Sequence, residues 1–523
     1  MFSRDLHRTI HFICLLLAAF LMPVSVWLLS AVSIAMSINW LLEGDFEEKR
    51  SRLKAQPGLI YLVLLFAMYL AWLLNTSDFP GALSELKLKL PLLFFPVVLG
   101  SVTAAGAREM RMVLLAFIGG CVFSASAGFL ALAGVLPAEI TNPRDLALFV
   151  PSIRLSILLN FGIFTSFWLS LTPTTGGTAL RTVLASAAAV MALFLFRLLS
   201  VTGIVLFVAL LGATGLYIAI GKKRVLAGIS LLAAAAAVTT ASVMLVTTAW
   251  TTLRNPLHPE VNEPLTVTAS GNSYTHYPEE TLVENGYLVW MNVCEEELKI
   301  EWNRRSSLPY DGNDKAGNEL RTTLVRYIAS MGLPRDSAAV AALSEVDILN
   351  IESGYANPVY VKKGSPRARA YELAWELDRA ARGANPSGHS LTQRPEFYRA
   401  ASGIIRENPW TGVGTGDVGK AFKEEYEKNA TPLGIEYRLR AHNQYLTFGV
   451  TFGIPGMILA LTLMLIPWLT CRGRTSYQFM LFISVIFISM VNDDTFSSFT
   501  GAAFFSYFYT LLIVTYGHHE TQQ

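Results

Sequence analysis

Between Gln393 and Pro455 the chain gathers side chains that could do acid–base and anion chemistry. Arg394 opens the run RPEFYRAASGIIREN, the loop PWTGVGTGD follows, and Arg438, Arg440, His442 and Asn443 stand immediately ahead of the apolar run QYLTFGVTFGIPG. A histidine side chain titrates near pH 6.5, at about neutrality, and can take a proton there. Arginine stays charged and grips oxyanions with a planar fork. This pattern points to His442 as a general base, with Arg394, Arg440 and Asn443 as substrate contacts. A lone histidine at a helix start is commonly a surface residue, so its company carries the argument.

Two more arginines belong to that company. Arg154 opens the apolar run RLSILLNFGIF and Arg197 ends the one before LLSVTG. Both are expected at the membrane–water boundary from which His442 emerges. An arginine near hydrocarbon is costly unless it faces a cavity or a partner. Either one alone could instead snorkel to headgroups; together with His442 they read as an anion site. Asn492, Asp493 and Asp494 fall at the end of another apolar run. Asp493 is expected among the substrate contacts; for the group as a whole a solvated loop or an ion pair with one of the arginines is the plainer reading, and an acidic metal pair is also conceivable. Gly412, Gly414 and Gly416 make a tight turn or a backbone anion nest. Gly414, Gly419 and Lys420 nearly match a phosphate-binding loop, but Ala421 replaces its Ser or Thr. Trp290, Trp302, Trp375 and Trp410 could stack on sugars or pack in cores.

The elements that must position these groups are apolar helices. Of 523 residues, 52% are hydrophobic and only 15% charged, against about 25% charged in soluble domains. That points to a membrane protein with a polar insert. A net charge of +2 gives no case for nucleic acid. The four cysteines show no zinc spacing, and neither metal nor cofactor is expected. Apolar runs fall at 10–42 (two helices broken near Pro23), 59–75, 90–104, 111–136, 153–171, 179–198, 201–220, 225–250, 443–470, 476–491 and 500–516. Counted at roughly 20 residues per span, this makes about twelve transmembrane helices. The N-terminal run could pass for a signal peptide, but so many spans behind it favour a first transmembrane helix. Lys and Arg in the short loops place both ends in the cytoplasm. The expected organisation is a transmembrane region over 1–250, a mainly helical periplasmic domain over 251–441, a transmembrane region over 442–517 and a cytoplasmic tail over 518–523.

The runs RPEFYRAASGIIRENPWTGVGTGD and AHNQYLTFGVTFGIPG, supported by RLSILLNFG, FRLLSVTG and NDDTFSSFTGAAFFSYFY, resemble the O-antigen ligase and O-antigen polymerase superfamily of bacterial envelope glycosyltransferases. The resemblance implies an all-α polytopic fold of the class C glycosyltransferase type in the bacterial inner membrane. It implies an inverting enzyme whose site faces the periplasm. The donor would be a glycan on polyprenyl (undecaprenyl) diphosphate, and the acceptor lipid A–core or another envelope molecule. By motif position, Arg154 and Arg197 would hold the diphosphate and His442 would act on the acceptor, without a metal. Many members carry Ser-Arg-Gly where this chain has Ser200-Val201-Thr202-Gly203; Arg197 lies one helical turn earlier.

The chemistry agrees with that implication. No ATP is present outside the cytoplasm, so a transferase there needs a pre-activated donor. A diphosphate leaving group needs fixed cations in a site of low dielectric. The motifs do not separate a ligase from a polymerase that joins repeat units. A transporter is a third reading, but it should place its charges in repeats near the bilayer midplane.

Overall fold

The computed structural model describes residues 3–517, apart from 103–105, 141, 222–223, 255–262, 278, 281 and 362–364. The expected cytoplasmic tail, 518–523, lies outside the described residues. Helices make up 72% of the structure, and the strands among the described residues form one hairpin of two two-residue strands, so the fold is all-α and, with its apolar helices, polytopic. It divides into two compact units, residues 1–236 with 393–523, and residues 237–392.

The first unit begins with α1 (Arg4–Leu21), α2 (Val26–Glu43), α3 (Phe46–Lys54), α4 (Gly58–Ala71), α5 (Phe79–Lys89), α6 (Pro91–Val102) and α7 (Ala107–Leu132). It continues with α8 (Ser152–Leu171), α9 (Thr178–Arg197), α10 (Val201–Leu216) and α11 (Val225–Arg254), within which the second unit starts. Nine helices among the described residues are long and apolar enough to cross a membrane. The figure of twelve expected from hydropathy counted three more. Of these, α1 carries Arg4, Asp5 and Arg8 in its first turns, and α6 has only 12 residues. The third is a 13-residue helix at Tyr477–Ser489.

The second unit holds α12 (Glu295–Arg305), α13 (Leu320–Ser330), α14 (Ser337–Ala342), α15 (Glu345–Glu352) and α16 (Pro366–Ala381), with a hairpin of β1 (Val283–Glu284) and β2 (Tyr287–Leu288). Its core is built on Trp302, Leu324, Tyr327 and Ile328. Glu284 is fully buried there, with Arg326 Nη2 at 2.6 Å and Asn357 Nδ2 at 2.9 Å. A buried carboxylate is tolerated only when charge and hydrogen bonds offset its lost hydration.

The chain then returns to the first unit as α17 (Arg394–Glu407), α18 (Val418–Lys428), α19 (Gln444–Thr470), α20 (Tyr477–Ser489) and α21 (Phe499–Gly517). Hydropathy had assigned 393–441 to the polar domain. By contact these residues group with the first unit: Phe397, Ala401 and Ile404 of α17 and Phe422 and Tyr426 of α18 form one cluster with Val450 of α19. At the centre of this unit, α21 is buried along nearly its whole length. Phe504 and Phe508 of α21 meet Phe117 of α7 and Phe161 of α8 edge-on or stacked, with centroids 4.9–6.2 Å apart. Inside lipid, such packing rather than water exclusion holds helices together.

Helix α19 is two helices joined at a kink. Gly453 has φ +71° and Pro455 follows. The loop after α17 seals the kink. Ile454 donates to the Pro409 carbonyl at 2.8 Å, and Val413 and Gly414 donate to the carbonyls of Val450 and Thr451. A Cβ on Gly453 would sit 2.6 Å from the Trp410 carbonyl, and one on Gly412 would sit 2.5 Å from Gly453 N. Only glycine permits both the positive φ and this approach.

Candidate functional site

The head of α19 and the turn between α20 and α21 are stitched together. Asn443 caps α19: its Oδ1 accepts from Leu446 N at 3.1 Å, and its Nδ2 donates to the Val491 carbonyl at 2.9 Å. Gln444 donates its backbone N–H to the Met490 carbonyl, and its Oε1 accepts from Phe496 N, both at 2.9 Å. Asn492 Nδ2 reaches Thr202 Oγ1 of α10 at 2.5 Å. The turn therefore cannot move independently of the segment that carries His442.

Two carboxylates form the floor of this corner, and both are buried. Asp494 accepts from Thr447 Oγ1 at 2.6 Å and from the backbone N–H of His442 at 3.1 Å. Asp493 accepts from Arg154 Nη1 at 2.5 Å. Arg154 also donates from Nη2 to the Asp494 carbonyl at 2.7 Å and from Nη1 to the Thr495 carbonyl at 3.3 Å. Arg154, in the first turn of α8, thus grips three consecutive residues of the turn. Burial pushes the Asp493 carboxyl above the usual carboxylate range and Asp494 adds to this, while Arg154, His442 and Arg394 pull the other way. Desolvation outweighs the cations there.

His442 itself is held in the left-handed region, at φ +48°. Such a φ is uncommon outside glycine and marks a conformation imposed by its surroundings. The hydrogen bond to Asp494 and the cap at Asn443 impose it here. The imidazole is half-buried beside Phe397 of α17, with ring centroids 5.8 Å apart.

The remaining expected residues fall as follows. Arg394 opens α17, and its charge acts on Asp493. Arg440 pairs with Glu85 of α5, Nη1 to Oε1 at 2.6 Å. Asn443 has its amide engaged in the cap and the turn. Arg197 ends α9 exposed, and no ion pair or hydrogen bond engages its side chain among the described residues. The structure therefore draws Arg154, Asp493, His442 and Arg394 together and leaves Arg197 outside their contacts. Asp494, expected beside Asp493, joins them through His442 and Thr447, and the structure adds Thr447, Glu85 and Lys89, which the motifs do not mark as site residues. The Glu85–Lys89 spacing of four residues was a readable signal for a helical ion pair.

The glycine loop is a clasp and not a phosphate cradle. The N–H groups of Gly412, Val413, Gly414 and Gly416 are bonded to Asn408, Val450, Thr451 and Thr76. Asn75 Nδ2 and Trp72 Nε1 reach the carbonyls of Gly412 and Thr411. Asp417 completes it, accepting from Ser77 N, Ser77 Oγ and Asp78 N at 2.6–3.0 Å. Burial raises the Asp417 carboxyl, but these hydrogen bonds outweigh it and hold the group below the usual range. Beside the clasp, a cleft of about 550 Å³ is lined by Asn75, Asn408, Asp417, Lys420 and Glu424, and not by Arg154 or His442. Of the tryptophans, Trp302 is core, Trp375 lies between Arg326 and Arg379, Trp290 meets Arg321, and Trp410 is exposed.

Among the described residues no three His, Cys, Asp or Glu side chains converge as a metal site. What the corner offers is a set of fixed cations, carboxylates that orient them, and one imidazole at the end of a membrane helix. The protein is all-helical and polytopic, and these charges gather at the head of one of its apolar helices.

Comparison with known families agrees. Residues 367–461 match the family model described as O-antigen ligase, which supports the resemblance to the O-antigen ligase superfamily. The matched stretch runs from α16 past the kink of α19, and so contains Arg394, Arg440, His442 and Asn443 but not Arg154 or Asp493. No curated protein matches the chain.

Proposed function

We propose that the protein is an O-antigen ligase-type glycosyltransferase. It moves a glycan from a polyprenyl diphosphate carrier to lipid A–core or another envelope acceptor, at the periplasmic face of the bacterial inner membrane. One observation carries this reading: Arg154 and the backbone of His442 are fastened to adjacent carboxylates, Asp493 and Asp494. A cation suited to a diphosphate and a base suited to a hydroxyl are thereby held in one frame.

His442 takes the proton of the acceptor hydroxyl. The hydroxyl oxygen bonds to the anomeric carbon as the bond from that carbon to the diphosphate oxygen breaks. Polyprenyl diphosphate leaves with the electron pair, and attack from the opposite side inverts the anomeric centre. Arg154, whose terminal nitrogens are engaged by residues 493–495, takes the diphosphate by exchange with Asp493. Arg197, exposed at the end of α9, supplies the second donor-side cation. A positioned base contributes about 10²–10⁴-fold, and fixed cations lower the barrier by stabilising the leaving charge.

Deleting the gene and analysing the envelope glycan tests the reading. Accumulation of full-length lipid-linked polymer, with none on the acceptor, is the expected result. Attachment of single repeat units would instead make the protein a polymerase, and an unchanged glycan would refute both.

A further inference from the structure

Lys89 lies where a lysine is rarely found. Its side chain is 4% exposed, and its ammonium sits 5.3 Å from the centre of the Tyr69 ring. It pairs with Glu85, one turn earlier on α5. The other oxygen of Glu85 holds Arg440, whose side chain is 33% exposed. One carboxylate therefore serves two cations, one sealed inside and one at the surface. A buried ion pair is complete with a single partner for each charge, so the second cation needs an explanation.

The arrangement decides where positive charge is left over. Lys89 offsets Glu85 from within, so Arg440 remains electrostatically uncompensated while its guanidinium stays fixed by a hydrogen bond. Arg440 stands two residues before His442, and the Asp494 charge is felt at Lys89, so the triad adjoins the carboxylate floor of the site. Counted together, the cations Arg154, Arg394, Arg440 and Lys89 outnumber the carboxylates Asp493, Asp494 and Glu85 that they pair with or act on.

We propose that Lys89 is a positioning residue that keeps Arg440 charged and outward-facing to receive a phosphate group of the lipid-linked donor. The inference rests on the transferase reading above and assigns this phosphate contact within it. Lys89 does not touch the substrate. It acts by cancelling Glu85, which would otherwise compete with phosphate for the same guanidinium.

The test measures binding of farnesyl diphosphate to the full-length protein in detergent, at fixed ionic strength. The proteins compared are the wild type, Lys89→Met, Glu85→Gln, the double variant and Arg154→Gln. Lys89→Met, which leaves Glu85 to neutralise Arg440, should weaken binding about tenfold. Glu85→Gln should bind at least as tightly as the wild type. The double variant should return to within about threefold of it, because without Glu85 there is no carboxylate left for Lys89 to offset. A merely structural ion pair gives a different pattern: Glu85→Gln weakens binding, and the double variant is no better than Lys89→Met. Either result overturns the inference, and the Glu85→Gln arm decides even if Lys89→Met does not fold. Wild-type affinity in Lys89→Met with impaired binding in Arg154→Gln overturns this inference alone. Failure of the wild type to bind the diphosphate overturns the donor site itself, and the inference with it.

Discussion

Arg154 and Asp493, 339 positions apart in sequence, form a buried ion pair with Nη1 and Oδ2 2.5 Å apart. It ties the first turn of α8 to the turn before α21, and so ties two distant parts of the chain at the proposed site. If the donor diphosphate exchanges with Asp493, the carboxylate is a competitor for the guanidinium. Asp493→Asn should then tighten donor binding several-fold, roughly the advantage of a charged over a neutral hydrogen-bond partner. Arg154→Lys keeps the charge but cannot reach Asp493 and the Asp494 carbonyl together, and should lower transfer about tenfold or more in a folded protein. Titrating the donor against both variants checks this; weaker binding in Asp493→Asn means that Asp493 supports the donor instead.

That pair also shows what the sequence makes legible. Arg154, His442 and Asp493 stand out because charge at the edge of an apolar run is costly and rarely idle. The long helices read well for the same reason: hydropathy reports length directly, and α7 to α10 lie within a few residues of their expected bounds. Lys89 and Glu85 did not stand out as site residues. In the run KLKLPLLFF, Lys87 and Lys89 look alike, and only the contacts of Lys89 with Tyr69 and Glu85 separate the buried one from the exposed one. The glycine loop offered a turn or an anion nest, and hydrogen bonds from residues over 300 positions away decide for a clasp. Residues 393–441 read as part of a polar domain because amphipathic helices resemble soluble ones until their apolar face is seen against α19.

The kink in α19 depends on Gly453. Alanine there costs ~1–3 kcal/mol for the backbone alone, since φ +71° with ψ 178° is open essentially to glycine only, and its Cβ would press on the Trp410 carbonyl at 2.6 Å. Gly453→Ala should therefore lower the melting temperature in detergent and loosen the clasp, so that transfer falls with it. Gly212→Ala, where a Cβ meets nothing within 4 Å, should be close to neutral. Equal melting temperatures for the two variants would show that the loop yields freely.

Asp417 gives the fold a defined response to acid. Its folded carboxyl titrates below the unfolded value of about 3.9. The unfolded chain then binds more protons, so stability rises with pH across that interval. The contribution is complete above the unfolded value and is lost as pH falls through the depressed folded one. Melting curves of the wild type and Asp417→Asn should differ at neutral pH and converge below about pH 4. A difference that persists unchanged in acid would assign the loss to the shape of the amide and not to the charge.

His442 carries the proposed proton transfer, and its backbone makes an informative set of variants possible. At φ +48°, alanine brings a conformational penalty of its own, whereas asparagine and glycine accept the left-handed region readily. His442→Asn should keep the hydrogen bond from its backbone to Asp494 and leave donor affinity within about threefold, while single-turnover transfer drops about 10²-fold or more. His442→Gly should show the same loss and leave room beside Phe397. Free imidazole in the assay should then restore part of the transfer without changing donor binding, because it replaces the missing proton acceptor. A phosphate-contacting role predicts the opposite division, with donor affinity reduced and transfer of bound donor nearly normal. Near-normal transfer in His442→Asn would falsify the base assignment.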